Sequence, residues 1–321
     1  MVLRTILPVK KSSWEISHED FIFSIGSCFA DCLAERLISH QFKVIDNPFG
    51  ILYNPLAIVS NLLKKKALKE EYVVKNNRYF HYDFHSEISG ESKEELTEKI
   101  GFALNETTSW LAKTNYLVIT LGTAFVYYLK EKNISVANCH KMPSDIFFKK
   151  MLSPEEIVQS FDQLIKYLNK INPAIKILLT VSPVRHLKDS LELNSVSKSI
   201  LRLTTWQLTE KYPDKIAYFP SSEIMLDELR EYRFYKEDMI HITSQAESYI
   251  WQHFSETFFS KNTIELNKEI SELVAALSHR PFQPQSDDHL KFLLNTQEKA
   301  IKLNDKVAVK DLLQKLALKL E

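Results

Sequence analysis

The chain has 321 residues, 45% hydrophobic and 26% charged, a balance that excludes a disordered chain and supports one large α/β domain or one domain with an appendage. Lys+Arg and Asp+Glu are both 41, so no net field draws the protein to nucleic acid or to an anionic membrane. Three cysteines make no disulfide framework, and five glycines leave no G-x-G-x-x-G and no G-x-x-x-x-G-K loop for a nucleotide.

Phe21-Ile22-Phe23-Ser24-Ile25 reads as a buried strand. Gly26-Ser27 breaks it, and Phe29, Leu33, Leu37 and Ile38 recur at helical spacing from Cys28 to His40. Lys43-Val44-Ile45 is a short second strand, and Pro55 starts a helix that ends near Lys64-Lys65-Lys66. Alternation over 72–89 around Asn76-Asn77 predicts a β-hairpin, and 92–113 predicts a helix. Asn115 to Leu121 is a second buried strand, closed by Gly122-Thr123. A hairpin follows over 125–136, then a helix over 153–170, a strand over 175–181, a helix over 193–211 and a strand over 216–219. Residues 243–278 are helical in at least two pieces.

Buried strands alternating with helices predict an α/β three-layer sandwich on a mainly parallel sheet, with β-hairpin insertions and a C-terminal helical extension. Residues 1–279 are expected to form one domain, with hairpin insertions at about 70–90 and 124–140. Residues 280–321 are expected to form a proline-bounded linker, Arg280 to Pro284, and a helical tail. No signal-like segment opens the chain and no apolar run has membrane-spanning length, so a cytoplasmic protein without a membrane partner is expected.

In such a sheet ligands bind outside the carboxyl ends of the strands. Gly26-Ser27-Cys28, Gly122-Thr123, Ser182-Pro183-Val184-Arg185-His186 and Ser221-Ser222-Glu223 all follow strand ends, so they are expected along one edge. A nucleophile at a helix N-terminus sits among free N–H groups, which stabilise an oxyanion and lower a thiol pKa. The structural alternative makes Ser27 an N-cap and Cys28 a small core residue. Asp238 and His241, three apart, lie on one face of a helical turn, where a carboxylate can orient an imidazole base. Asn138 and His140 follow a strand and can line the same cleft, and Arg185 can fix an anionic or carbonyl group. His81, Asp83 and His85 share one face of a strand; their spacing suits a divalent metal, but a solvated strand face accounts for it better. Glu223, Asp227, Arg230 and Arg233 read as a buried ion network built from helical pairings.

Together these motifs resemble the GSCFA family, named for the pentapeptide at residues 26–30, and the resemblance covers most of the chain. It implies an SGNH/GDSL-like, flavodoxin-like hydrolase fold and no cofactor. Its first block places the nucleophile at Cys28, with Ser27 as the fallback, and its last block is Asp238 and His241. Its second block is Gly50, whose N–H joins that of residue 28 as an oxyanion hole. In the third block Gly122 is followed by Thr123 and Ala124, so the usual asparagine is missing and Thr123 or Asn138 stands in for it. The implied activity is a hydrolase or acyltransferase acting on a small-molecule or carbohydrate acyl ester. The alternative is an inactive ligand-binding module that retains the cleft.

Overall fold

The structure, a computed structural model, describes residues 5–66, 71–279, 281–283 and 286–320. Arg280 and Pro284 of the expected linker lie outside the described residues. The chain divides into two compact units. The first is built from residues 21–34 and 44–251 with the N-terminal segment to Pro8, and the second from 9–20, 35–43 and 252–321.

In chain order the first elements are β1 (Phe21–Gly26), α1 (Cys28–Ser39), β2 (Lys43–Asp46), α2 (Pro55–Leu63), β3 (Tyr72–Lys75), β4 (Arg78–His81), α3 (Lys93–Lys113) and β5 (Tyr116–Leu121). Then come β6 (Phe125–Leu129), β7 (Ile134–Val136), β8 (Phe147–Met151), α4 (Pro154–Ile171), β9 (Lys176–Val181), α5 (Leu191–Lys211), β10 (Ile216–Phe219) and a short α6 (Ser221–Glu223). α7 (Ser244–Phe258), α8 (Lys261–Ser278), α9 (Asp287–Asn304) and α10 (Lys310–Leu320) complete the chain.

The main sheet has the order β10-β9-β5-β1-β2, and the β1–β5, β5–β9 and β9–β10 pairings are parallel. Counted within this sheet the order is 2-1-3-4-5, the flavodoxin-like arrangement whose order reverses beside the first strand. Every residue of β5 is buried, so helices cover both faces of the sheet. One face, with Phe23, Ile25, Leu117, Ile119, Ile177 and Leu179, shares a core with α2, α3, α4 and α5. α4 shows why: Ile157, Phe161, Leu164, Ile165 and Leu168 fall on one stripe, and Ser153 with Glu156 closes a capping box at its start. Truncating a fully buried side chain such as Phe161 to alanine would cost about 3–5 kcal/mol.

The expected insertions are present. β3 and β4 pair around Asn76 (φ 48°) and Asn77 (φ 58°), the left-handed pair a tight hairpin turn requires. β6 pairs with both β7 and β8. β8 is an addition to the expected elements, its Phe147-Phe148-Lys149-Lys150-Met151 being too mixed to stand out before β6 lies beside it. In the second unit α8, α9 and α10 bury their own core of Leu273, Leu293, Ala300, Leu303, Val309 and Leu316. The expected helical tail consists of two helices, α9 and α10.

Candidate active site

β1 delivers Gly26 into the turn that opens α1. Gly26 has φ +143°, and a Cβ there would lie 2.1 Å from the Thr120 carbonyl oxygen of β5. Only glycine allows the two strands to pair to their ends. Asn47 Oδ1 accepts the Gly26 N–H at 2.8 Å while its amide donates to Asp31. The Ser27 N–H donates to Thr120 O at 3.0 Å. Cys28 then begins α1, half-buried, with the N–H groups of Cys28 and Phe29 acting on its sulfur.

A cleft of about 420 Å³ opens beyond the carboxyl ends of β1, β5 and β9. Cys28, Thr123, Asn138, Arg185, His186 and His241 line it. This is the reversal point of the strand order, where the fold leaves room for a ligand. Asp238 stands behind His241. Its Oδ2 accepts from His241 Nδ1 at 2.6 Å, and its Oδ1 accepts the N–H groups of Ile240 and His241 at 2.9 Å each. The hydrogen bond from His241, followed by those from the backbone, holds the Asp238 carboxyl down at about 2. The carboxylate thereby fixes the imidazole with its other nitrogen, Nε2, available as a base.

These two residues are not on a helical turn, as their spacing suggested. Asp238 to His241 is an irregular turn in which Met239 has φ +56°, and the carboxylate caps the turn itself. Arg185 stitches this turn to the segment after β9: its N–H donates to Ile240 O at 3.2 Å. Its guanidinium lies 3.7 Å from the centre of the Tyr235 ring. Arg185 borders the cleft but also clamps the Asp238–His241 turn.

Residues 21–254 match the family model of the GSCFA family. This chain belongs to the GSCFA family. Residues 263–321 match a further model, GSCFA domain protein, C-terminal domain. No protein with a curated description matches the sequence. Among solved structures, the GSCFA chain is similar to a Streptococcus pneumonia protein provisionally described as a platelet activating factor: 10% identity, 74% of this chain, 82% of that one, TM-score 0.39. It is also similar to a carbohydrate esterase family 3 protein from Talaromyces cellulolyticus, at 10% identity over 78% of this chain and 99% of that one, TM-score 0.36. A third is the acetyl xylan esterase Est2A from the rumen bacterium Butyrivibrio proteoclasticus, at 13% identity over 63% and 55% of the chains, TM-score 0.32.

Within the GSCFA pentapeptide the two candidate nucleophiles part company. Ser27 is fully buried and its Oγ has no hydrogen-bond partner among the described residues, whereas Cys28 lines the cleft. Ser27 lies under Gly122, where an added Cβ would meet Ser27 Cβ at 3.2 Å, His186 Nε2 at 3.2 Å and Tyr53 O at 3.0 Å. Ser27 as a fallback nucleophile is thereby corrected: a reagent in the cleft does not reach it. The thiol of Cys28 is pushed up from its ordinary value, not down. Burial is the largest cause and Asp31 adds to it, against Lys198 and the N–H groups of Cys28 and Phe29. The helix N-terminus favours the thiolate as expected but does not outweigh desolvation.

Gly50 is also corrected. Its N–H donates to Asn47 O at 2.7 Å and it does not line the cleft, so it offers no oxyanion donor. Its φ of +68° and the Cβ of His85, which would lie 2.5 Å from an added Cβ, explain the glycine. Gly122 does not line the cleft either, and its N–H is bonded to Tyr53 O at 2.9 Å. The Thr123 N–H also goes to Tyr53 O, and its hydroxyl lies 3.0 Å from Ser197 Oγ. Asn138 accepts the His140 N–H on Oδ1 at 2.8 Å, which leaves its amide nitrogen for a ligand. Of the expected oxyanion donors, the N–H of residue 28 and the Asn138 amide remain.

His140 does not line the cleft. Its Nε2 bonds His81 O at 2.9 Å, its Nδ1 bonds Ser86 Oγ at 2.9 Å, and its ring stacks on Phe80. Burial pushes it down to about 4, so it is a neutral internal strut. The solvated strand face drawn for His81, Asp83 and His85 is corrected too. β4 ends at His81, and His81 and Asp83 are buried with Glu71, one ligand atom of each lying within 4.8 Å of the others. His81 Nδ1 accepts the Asp83 N–H at 3.2 Å, which places the ring proton on Nε2, 3.8 Å from Glu71 Oε2. Asp83 pairs with Lys64. Nδ1, which accepts the Asp83 N–H, has no lone pair left for a cation, and Lys64 already brings an ammonium to the cluster. Glu223 pairs across to Arg202 at 2.7 Å and Tyr218 at 2.8 Å, because the chain after α6 is a wide π turn that breaks the expected helical pairings.

Three residues of the cleft region were given no role of their own by the sequence reading. His186 stands in the lining, its Nε2 buried without a partner among the described residues, and burial pushes it down to about 4. Cys139 is a second thiol in the lining, pushed up to about 11 by burial and so inert near neutral pH. Lys198, on α5, donates from Nζ to Gly122 O and to Ser182 O, both at 2.7 Å. A signal for it existed: Lys198 precedes the buried Leu201, Thr205 and Leu208 of α5 at spacings of three, seven and ten, on the buried stripe. Among the described residues no helix is long and apolar enough to cross a membrane.

Proposed function

We propose that this GSCFA protein is an SGNH-like, thiol-dependent hydrolase or acyltransferase acting on an acyl ester. The observation that carries the reading is that Cys28, at the start of α1, and His241, oriented by Asp238, line one cleft. His241 Nε2 takes the proton from Cys28 Sγ as the sulfur attacks the acyl carbonyl. The negative charge moves to the carbonyl oxygen, where the N–H of Cys28 and the Asn138 amide are the donors within the cleft. Collapse breaks the C–O bond, leaves a thioester on Cys28, and returns the proton from His241 to the departing alkoxide. Water or an acceptor hydroxyl, deprotonated by His241, then attacks the thioester; the C–S bond breaks, the acyl group leaves on the new oxygen, and the Cys28 sulfur takes the proton back from His241. No hydrogen bond joins Cys28 to His241 among the described residues, an open arrangement common before substrate binds.

The rim favours a polar acyl ester, such as one on a carbohydrate. Tyr53, Phe125 and Tyr127 offer ring faces, and Lys149 and Lys188 offer donors. A panel of short-chain acyl esters and acetylated sugars tests the reading. Cys28→Ala and His241→Ala are expected to lose at least about a thousandfold of turnover. Ser27→Ala is expected to retain it, because the hydroxyl is buried beneath Gly122. Unchanged turnover in the Cys28 and His241 variants would refute the proposal. The raised thiol favours a second reading, a binding module that keeps the cleft without reacting. That reading predicts that iodoacetamide leaves Cys28 unlabelled across the pH range.

A further inference from the structure

A second cavity, of about 720 Å³, opens between α5, the end of β9 and the turn after β10. Its volume is that of a small-molecule site. Arg185 borders both this cavity and the Cys28 cleft, but neither Cys28 nor His241 lines the second one. α5 shows how the sequence builds it. Leu201, Thr205 and Leu208 turn one face of the helix into the core. Leu191, Ser195, Lys198, Arg202 and Trp206, spaced by three and four residues, turn another face to the cavity. An amphipathic helix needs only one apolar face, yet Leu203 and Trp206 on this side are 44% and 51% exposed. Leu226, across the cavity, is 54% exposed. Large apolar side chains gathered around one concavity mark a binding surface.

The charged groups of the wall are Arg185, Lys198, Arg202 and Glu223. Arg202 and Glu223 are spent on each other. Arg202 Nε donates to Glu223 Oε1 at 2.7 Å, and the Tyr218 hydroxyl donates to Glu223 Oε2 at 2.8 Å. The Arg202 guanidinium also lies 4.3 Å from the centre of the Tyr218 ring. Among the described residues no carboxylate pairs with Arg185 or Lys198. Arg185 rests on the Tyr235 ring and makes one long contact, Nη1 to Met239 O at 3.5 Å. Lys198 Nζ donates to Gly122 O and Ser182 O, both at 2.7 Å, which uses two of the three N–H groups of an ammonium. Burial brings Lys198 down to about 7, so the permanent unpaired charge of the wall is that of Arg185. An anion bound beside Lys198 would favour its ammonium form.

We propose that this cavity binds an amphipathic monocarboxylate, its carboxylate held by Arg185 and Lys198 and its hydrocarbon body laid against Leu203, Trp206 and Leu226. The two head-group residues reach the cavity from different elements: Lys198 comes from α5, and its Nζ is tied to Ser182, three residues before Arg185. A guanidinium offers a carboxylate two parallel N–H donors, which fixes its orientation as well as its charge. The hydrocarbon body removes the exposed faces of Trp206 and the leucines from water. One permanent positive charge suits a monoanion; a dianionic phosphate would bring a second negative charge for which the wall has no permanent partner, and Glu223 would stand nearby. Neither Cys28 nor His241 takes part, so the site is independent of the ester chemistry of the neighbouring cleft.

The test uses the full chain and four probes: octanoate, 1-octanol, acetate and octyl phosphate. Binding is followed by titration calorimetry and by tryptophan fluorescence. Octanoate is expected to bind saturably at one site, at least about tenfold tighter than octanol, which lacks the charge, and than acetate, which lacks the body. Arg185→Gln and Trp206→Ser are each expected to weaken octanoate by at least about tenfold. If Arg185→Gln does not fold, Lys198→Met, with the same expected loss, decides in its place. No saturable octanoate binding overturns the proposal. Octanol as tight as octanoate, or an unchanged affinity in Arg185→Gln, overturns it because the anion is then not recognised. Octyl phosphate tighter than octanoate overturns the choice of a monocarboxylate. An unchanged affinity in Trp206→Ser places the ligand elsewhere and overturns the site. Sedimentation of the ligand-free protein completes the test: a dimer that Trp206→Ser abolishes gives this face to a second copy of the chain and overturns the proposal, whereas a monomer supports it.

Discussion

The same substitution, glycine to alanine, should have opposite effects at two places in this fold. At Gly26 the backbone has φ +143°, a conformation that costs a residue with a Cβ about 1–3 kcal/mol. The new methyl would also stand 2.1 Å from Thr120 O. That oxygen accepts the Ser27 N–H, and Gly26 and Thr120 are partners in the β1–β5 ladder, so neither side can yield without opening the sheet. Overpacking of this kind adds about 1–3 kcal/mol. Gly26→Ala should therefore lose about 2–6 kcal/mol and displace Cys28, two residues on. At Gly101, inside α3, an added Cβ meets nothing within 4 Å. Gly101→Ala should gain about 0.5–1 kcal/mol from helix propensity and leave the cleft alone. Equilibrium urea unfolding, read by intrinsic fluorescence, measures both variants against wild type, with iodoacetamide labelling of Cys28 as the local probe. A Gly26→Ala variant within about 1 kcal/mol of wild type, or a destabilised Gly101→Ala, would refute this account of the turn.

Asp238→Asn keeps the size of the side chain but donates where the carboxylate accepted, so His241 loses its fixed tautomer; turnover should fall by about a thousandfold or more with the fold unchanged, and a loss below tenfold counts against the orienting role. Glu71 is pushed up to about 8 by burial first and then by its hydrogen bond with Asp83. The folded state therefore holds a proton that the unfolded chain releases near the ordinary glutamate value, and stability should decline as pH rises from there through about 8. Melting curves of wild type and Glu71→Gln across that window should diverge, with the Gln variant declining less; parallel curves would contradict the assignment. His140→Ala removes two hydrogen bonds and a stacked ring from the β4 region and should cost about 1–3 kcal/mol, seen in thermal unfolding, while the Cys28 alkylation midpoint stays in place.

The location of the cleft was legible in the sequence because local rules govern it. A continuous apolar run makes Phe21 to Ile25 a strand, Gly26 breaks it where a left-handed turn is needed, and Phe29, Leu33 and Leu37 set the helix that follows. The Asn76-Asn77 turn and the Pro55 helix start are local in the same way. What local rules do not contain is depth. Ser27 and Cys28 are adjacent, and one is sealed under Gly122 while the other faces the cleft, a choice made by how β5 passes beside the turn. Asn47 lies three residues before Gly50 and takes its N–H, so the glycine's expected donor is spent inside its own loop. His81 and Asp83 look like a wetted strand face until Glu71 and Lys64 close over them. The thiol of Cys28 shows the difference most plainly. Sequence puts it at a helix N-terminus, which favours the thiolate, but desolvation and the charges of Asp31 and Lys198 depend on residues up to 170 positions away in the chain. Hydrophobic periodicity and turn chemistry thus determined where the cleft lies; the electrostatics of its thiol, being a property of burial and of distant charges brought together, was decided only by the tertiary structure.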